Sequence, residues 1–312
     1  MAKNKVFLIL GALIVLLASY LVVDLLTNDS EHKGDVTVVH ELGTSYVNKN
    51  PKRIVVFDFG ILETLDKLEI EVIGLPKDSL PTHLQKYNNE KVTNVGTLFE
   101  PNFEVIFNLK PDLIIISGRQ SELFDELNDL APTIYLPMDN LKFLDSFKKN
   151  LNVLSQIFTK TNQFATYIQE VESEIDELHE TATASELNAL VLMVNSSSIS
   201  ALGIGSRYDV VHTTFGVPPA DPNITVSTHG QNVNFEYILD INPDIIFVVD
   251  RGIITEGKGT AEVLLDNSLV NQTKAAMNGK IIHLSAEQWY ISTGGIDSFK
   301  VMIEEVASAF TN

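Results

Sequence analysis

Residues 102–119 and 234–251 are two copies of one segment, 132 positions apart, aligned without a gap and identical at eight of eighteen positions. Each opens on Asn-Phe-Glu (Asn102, Phe103, Glu104; Asn234, Phe235, Glu236), passes a Pro-Asp pair and closes on arginine, Arg119 or Arg251. The pattern predicts an Asn-capped short helix, a turn that stops it, and a buried parallel strand of near-continuous apolar residues. A chain that carries this unit twice is constrained to two similar α/β lobes. Open α/β sheets bind ligands beyond the carboxyl ends of their strands. Both arginines are therefore expected to face one ligand held between the lobes.

Arginine usage points the same way. The chain has 18 Lys but only four Arg, namely Arg53, Arg119, Arg207 and Arg251, and the last three each follow a strand-like run. A planar guanidinium fork is favoured where an oxyanion must be gripped in fixed geometry. The alternative is that each arginine pairs with a nearby acid. A net charge of -19 and a pI near 4.7 exclude nucleic acid as a partner, because that needs a basic footprint. Three arginines on so acidic a body imply a compact anion.

Residues 6–23 are uncharged and mostly apolar, preceded by Lys3 and Lys5, as in an exported protein whose N-terminus stays inside. The stretch is longer than a usual signal-peptide core and lacks a convincing cleavage site, which favours an uncleaved anchor over a cleaved signal. No cysteine occurs, so a lipid-anchored cysteine and disulfides are both excluded.

From Arg53 onward strand and helix patterns alternate, predicting a mainly parallel sheet. Residues 141–184 hold no glycine or proline, and Phe164, Tyr167, Ile168, Val171, Ile175 and Leu178 mark one helical face. A break is expected at 159–162, with Thr161 or Asn162 capping the second helix. The predicted organisation is a membrane segment (1–27), a linker (28–37), an N-terminal lobe (38–140), a helical connection with an interlobe spine (141–184) and a C-terminal lobe (185–312). The fold class is α/β: two Rossmann-like lobes joined by a long rigid α-helix, with the ligand cleft between them. So rigid a link permits only small lobe movements.

Gly203-Ile204-Gly205-Ser206-Arg207 reads as a strand-to-helix turn, open to three interpretations: a structural turn, an anion contact, or a dinucleotide loop whose third glycine is replaced by Tyr208. His229, beside Gly230 in a polar loop, is either a solvated histidine or a ligand. Tyr290 precedes a small-residue loop, 292–295, and is either packed or turned into a cleft. Glu104 and Glu236 suit the first turn of a helix through its dipole, and a matched pair of exposed acids would also suit a two-subunit partner. No nucleophile elbow, Walker loop or zinc-protease motif occurs, so hydrolase and phosphotransferase readings lack support.

With these residues in view, the chain from about residue 38 resembles the bacterial substrate-binding proteins that deliver ferric catecholate siderophores to ABC importers, in the petrobactin and enterobactin-fragment branch. The resemblance is carried by Asn50-Pro51-Lys52-Arg53-Ile54-Val55-Val56, Val95-Gly96-Thr97-Leu98-Phe99-Glu100-Pro101, Ser117-Gly118-Arg119-Gln120, Gly205-Ser206-Arg207-Tyr208, Thr228-His229-Gly230-Gln231 and Gln288-Trp289-Tyr290. It implies a non-enzymatic binding protein, expected as a monomer, with no intrinsic cofactor, whose ligand is an Fe(III)-siderophore complex. Arg119, Arg207 and Arg251 match a basic triad facing the anionic complex. His229 and Tyr290 match a pair that coordinates iron directly when a tetradentate siderophore leaves two positions open, and phenolate and imidazole suit that ion. Glu104 and Glu236 match acids that dock on the permease, which works with its ATPase. The implied location is the outer face of the cytoplasmic membrane. Haem, cobalamin or another metal complex is the alternative ligand of the same fold, and a nucleotide-dependent enzyme is the remaining reading.

Overall fold

The computed structural model describes residues 34–227 and 229–311. The apolar segment 6–23, with the anchor predicted on it, lies outside the described residues. Strands β1 (Val36–His40) and β2 (Gly43–Val47) form an antiparallel hairpin. A first five-stranded sheet follows, built from β3 (Ile54–Val56), β4 (Gly74–Leu75), β5 (Thr93–Asn94), β6 (Leu113–Ile116) and β7 (Thr133–Tyr135). Its order is β5-β4-β3-β6-β7 and every pair is parallel. The second sheet contains β8 (Ala189–Asn195), β9 (Ser198–Leu202), β10 (Gln231–Val233), β11 (Ile245–Asp250) and β12 (Ile281–Leu284), in the order β10-β9-β8-β11-β12. Here β8, β11 and β12 run parallel, while β9 pairs antiparallel with both β8 and β10. The two-residue turn at Ser196, which takes a left-handed φ of 54°, leaves no room for the crossover a parallel pair needs.

Six helices organise the molecule: α1 (Phe59–Lys67), α2 (Phe103–Leu109), α3 (Phe143–Phe158), α4 (Thr161–Ser185), α5 (Phe235–Ile241) and α6 (Ile296–Ala307). The duplicated segment folds as one unit twice. Asn102 Oδ1 accepts from Val105 N at 3.0 Å to start α2, and Asn234 Oδ1 accepts from Tyr237 N at 2.9 Å to start α5. Both helices end on a left-handed residue, Lys110 or Asn242, just before the proline. The aspartate after each proline then reaches the neighbouring strand: Asp112 accepts from Lys52 N (2.9 Å) and Arg53 N (2.8 Å), and Asp244 from Asn188 N (3.2 Å). Such bonds fix where each parallel pair begins, and β6 and β11 are then buried along their whole length.

The spine is α4, 25 residues and so about 37 Å long. Phe164, Val171, Ile175, Leu178 and Ala182 form its buried face, while Tyr167 and Ile168 are half-buried at its edge. Neither Thr161 nor Asn162 caps it. The break is made by Thr159 in a left-handed conformation, and Lys160 occupies the cap position while its Nζ donates to the Leu68 carbonyl at 2.6 Å. A lysine amine cannot accept the first amide, so tertiary anchoring replaces the cap. The C-terminal helix α6 locks the assembly: Phe299 packs T-shaped with Phe143 and Phe147, ring centroids 4.9 Å apart in each pair, and Lys300 pairs with Glu170 at 2.7 Å on the spine. Among the described residues no helix is long and apolar enough to cross a membrane.

Candidate functional site

A cavity of about 250 Å³ opens where the carboxyl ends of the first sheet meet the second lobe. From the N-terminal side come Asp58, just past β3, Ser117 to Arg119 past β6, and Tyr135, Pro137 and Met138 at and past the end of β7. From the other side come Arg207, Tyr208, Trp289 and Tyr290. Arg119 rides on a 3₁₀ turn (Gly118–Leu123) held by a reciprocal Ser117–Gln120 capping box. Its Nη2 donates to the Tyr290 carbonyl at 3.0 Å across the lobes. Tyr290 sits on a π-helical turn, Glu287–Ile291, a geometry that recurs at functional sites. Its ring is covered by two cations, with Arg207 Cζ 4.5 Å and Arg251 Cζ 5.5 Å from the centroid. Three arginines from three distant parts of the chain therefore converge on one tyrosine.

Charge at this point is not neutralised. Among the described residues no arginine lies within ion-pair distance of a carboxylate, which removes the reading that each is paired with an acid. Asp250, next to Arg251, is committed instead to the amides of Gly252, Thr260 and Ala261. The one acid lining the cavity is Asp58, the N-cap of α1, which accepts from Ile61 N at 2.9 Å. Burial raises the Asp58 carboxyl above its ordinary value, opposed by that backbone bond and by Arg119. Burial also pulls the Arg119 guanidinium down, opposed by Asp58 and reinforced by repulsion from Arg207. Both shifts come first from burial in a partly dry cleft; the repulsion between Arg207 and Arg119 is a smaller contribution, and one that an anionic ligand would relieve. The buried Tyr208 hydroxyl, which lines the cavity, makes no hydrogen bond with described residues, and neither does the buried Nε of Arg251, which stands over the Tyr290 ring outside the cavity lining.

Trp289 is 1% exposed, donates from Nε1 to Glu305 Oε2 at 2.7 Å and stands edge-on to Tyr208 at 5.6 Å. Gly294 comes so close to Met138 that a Cβ there would meet its sulfur at 2.6 Å, and its φ of +90° also favours glycine. The small-residue loop is thus a point of contact between the lobes.

Other predicted residues lie apart from this cluster. In the glycine turn before Arg207, the Gly205 amide is taken by Asp209 Oδ1 at 2.6 Å, so the loop serves as a structural turn that presents an arginine. His229 is exposed on the turn after Ser227, whose Oγ accepts its amide at 3.3 Å, and it does not line the cavity. Val226 and Ser227 do border an outer groove with Asp139 to Leu141 and Gly205 to Arg207, which places that turn at the cleft mouth. Glu104 and Glu236 are exposed in the first turns of α2 and α5. Among the described residues no group of three metal-ligating side chains occurs. Arg53 lies at the opposite end of the first sheet, where its Nε donates to the Lys110 carbonyl at 2.9 Å and its Nη2 to that of Leu109. Sequence reasoning missed Asp58, whose only local signal is that of a helix cap.

Two α/β lobes, a rigid helical spine and a ligand cleft at the strand ends define a solute-binding protein, and the chain belongs to the periplasmic binding protein family, whose sequence model matches residues 54–288. It is 45% identical over 279 residues to the petrobactin-binding protein YclQ of Bacillus subtilis, covering 88% of each chain. The crystal structure of YclQ superposes with a TM-score of 0.86 at 43% identity, over 89% of this chain and 99% of that one. The ferric-anguibactin-binding protein FatB of Vibrio anguillarum is 34% identical over 281 residues, 88% of this chain and 87% of its own. The periplasmic catecholate-siderophore binding protein VctP of Vibrio cholerae matches at TM-score 0.83 and 32% identity, over 88% of this chain and 99% of that one. These relatives are named for binding petrobactin, ferric anguibactin and catecholate siderophores, and this chain shares their family and fold.

Proposed function

We propose that the protein captures a ferric catecholate siderophore, of the petrobactin or tetradentate enterobactin type, and hands it to an ABC permease. The observation that carries the proposal is the unneutralised triad of Arg119, Arg207 and Arg251 around Tyr290, on a chain with a net charge of -19. A ferric catecholate carries net negative charge on oxygen atoms, which guanidinium forks bind bidentately. In this reading the three arginines hold the catecholate oxygens. Tyr290, released from its two cations as they turn to the ligand, and His229, from its turn at the mouth, supply phenolate and imidazole where a siderophore leaves iron positions open. Glu104 and Glu236, exposed at equivalent places on the two lobes, dock on basic pockets of the permease, whose ATPase drives transport. The apolar segment 6–23 tethers the protein to the outer face of the membrane.

The experiment is a comparison of ferric petrobactin with a neutral ferric trihydroxamate in equilibrium dialysis at two ionic strengths. The anionic complex is expected to bind more tightly and to weaken as salt rises. Equal binding of both, independent of salt, would overturn the assignment.

A further inference from the structure

Behind the cavity runs a polar seam that the binding reading does not use. Glu63, on α1 of the first lobe, is 3% exposed and accepts three hydrogen bonds: from Ser298 N (2.6 Å) and Ser298 Oγ (2.6 Å) on α6, and from His83 Nε2 (2.8 Å). His83 also faces Glu287, with its Nδ1 3.9 Å from that carboxylate. Glu287 in turn accepts from Thr82 N at 2.9 Å and Thr82 Oγ1 at 2.8 Å. Thr82 and His83 belong to a 3₁₀ helix of the first lobe, Thr82–Tyr87, whereas Glu287 opens the π-helical turn that carries Tyr290. At the far end of that turn the packing closes to backbone contact. A Cβ on Gly60 would lie 2.8 Å from Gly295 N and 2.9 Å from the Ser292 and Thr293 carbonyls. The stretch 287–298 is therefore stitched to the first lobe before and after Tyr290, while the Tyr290 ring faces Arg207 and Arg251 of the second.

From this geometry we infer that Glu63 and His83 are positioning residues, which fix the Tyr290 turn against the first lobe and so set the ring where the arginines converge. The inference rests on the reading of Tyr290 as a ligand contact. A buried carboxylate between packed lobes adds little stability over an apolar residue of like size, and the best-attested use of such a group is to fix register. Here the register it fixes is that of the turn bearing the tyrosine. The hydrogen bond that His83 donates to Glu63 raises the His83 pKa, opposed by burial and reinforced by the charges of Glu63, Glu287 and Asp297, while Lys67 on α1 pairs with Asp297.

Two measurements on the full chain test it. In ligand-free protein, amide hydrogen exchange across residues 287–295 is expected to accelerate roughly tenfold in His83→Ala and Glu63→Gln, with α4 unchanged, as a local opening requires. His83→Gln, which keeps a donor for Glu63, is expected to retain slow exchange. With ferric petrobactin as probe, His83→Ala is expected to weaken binding about five- to tenfold in the Tyr290 background and not in Tyr290→Ala, the scale of coupling within one network. Unchanged exchange at 287–295, or equal losses in both backgrounds, would overturn the positioning role. If the unsubstituted protein does not bind the probe, the ligand reading fails while the exchange measurement still judges the seam.

Discussion

The four arginines divide by what their side chains meet. Arg53 spends its donors on the Leu109 and Lys110 carbonyls at the C-terminus of α2, so Arg53→Ala is expected to cost about 1 kcal/mol of stability in denaturant unfolding and to leave ligand affinity unchanged. Arg119 faces the cavity, and Arg119→Ala is expected to weaken ferric petrobactin binding on the order of 30-fold in the same dialysis assay. Equal losses for the two would show that the triad is wrongly assigned. This division was legible in the sequence because arginine is scarce and three of the four follow strands. Glu63 was not legible because its partner Ser298 lies 235 residues away, and Asp58 because its local bond to Ile61 N shows only a helix cap while the cavity it lines is built by distant residues. Acids read one at a time look like a helix cap and a helix surface. His229 marks the opposite case: its motif is clear, and the residue is exposed outside the cavity lining, two positions after Ser227 of the outer groove.

At the scale of elements, the repeat was readable because its determinants are local. The Asn cap, the left-handed stop and the apolar strand all lie within eighteen residues. Asn102→Ala and Asn234→Ala are each expected to destabilise by about 1 kcal/mol, and the double variant by their sum, because the caps share no partner. Strongly non-additive values would contradict independent units. The cap predicted for α4 failed because a tertiary bond from Lys160 took its place, and the antiparallel β9 arises from a two-residue turn, with no glycine to mark it. The seam supplies a pH dependence. Its hydrogen bond to Glu63 raises the His83 pKa above the ordinary 6.5, so the charged pair stabilises most below that value and the contribution is lost as pH rises through the folded value. The stability difference between the unsubstituted protein and His83→Ala should therefore be larger at pH 5.5 than at pH 9. A difference that grows with pH would contradict the assignment.

Over the whole molecule, the spine and the aromatic lock of Phe143, Phe147 and Phe299 resist hinge closure. The radius of gyration from solution scattering is accordingly expected to stay the same, within error, when ligand is added. A contraction typical of hinged binding proteins would show that α4 bends. A rigid frame leaves recognition to side-chain adjustments, with Arg207 and Arg251 held over one ring and Arg119 repelled by Arg207 beside it. The central claim is that this cleft receives an anionic iron complex, and Trp289, the only tryptophan, lines it. Titration with ferric petrobactin, followed by Trp289 fluorescence, is the most direct measurement. Saturable quenching at micromolar ligand or below, lost in Arg119→Ala, is the predicted result; unaltered fluorescence at micromolar ligand, with no binding by dialysis, would contradict it.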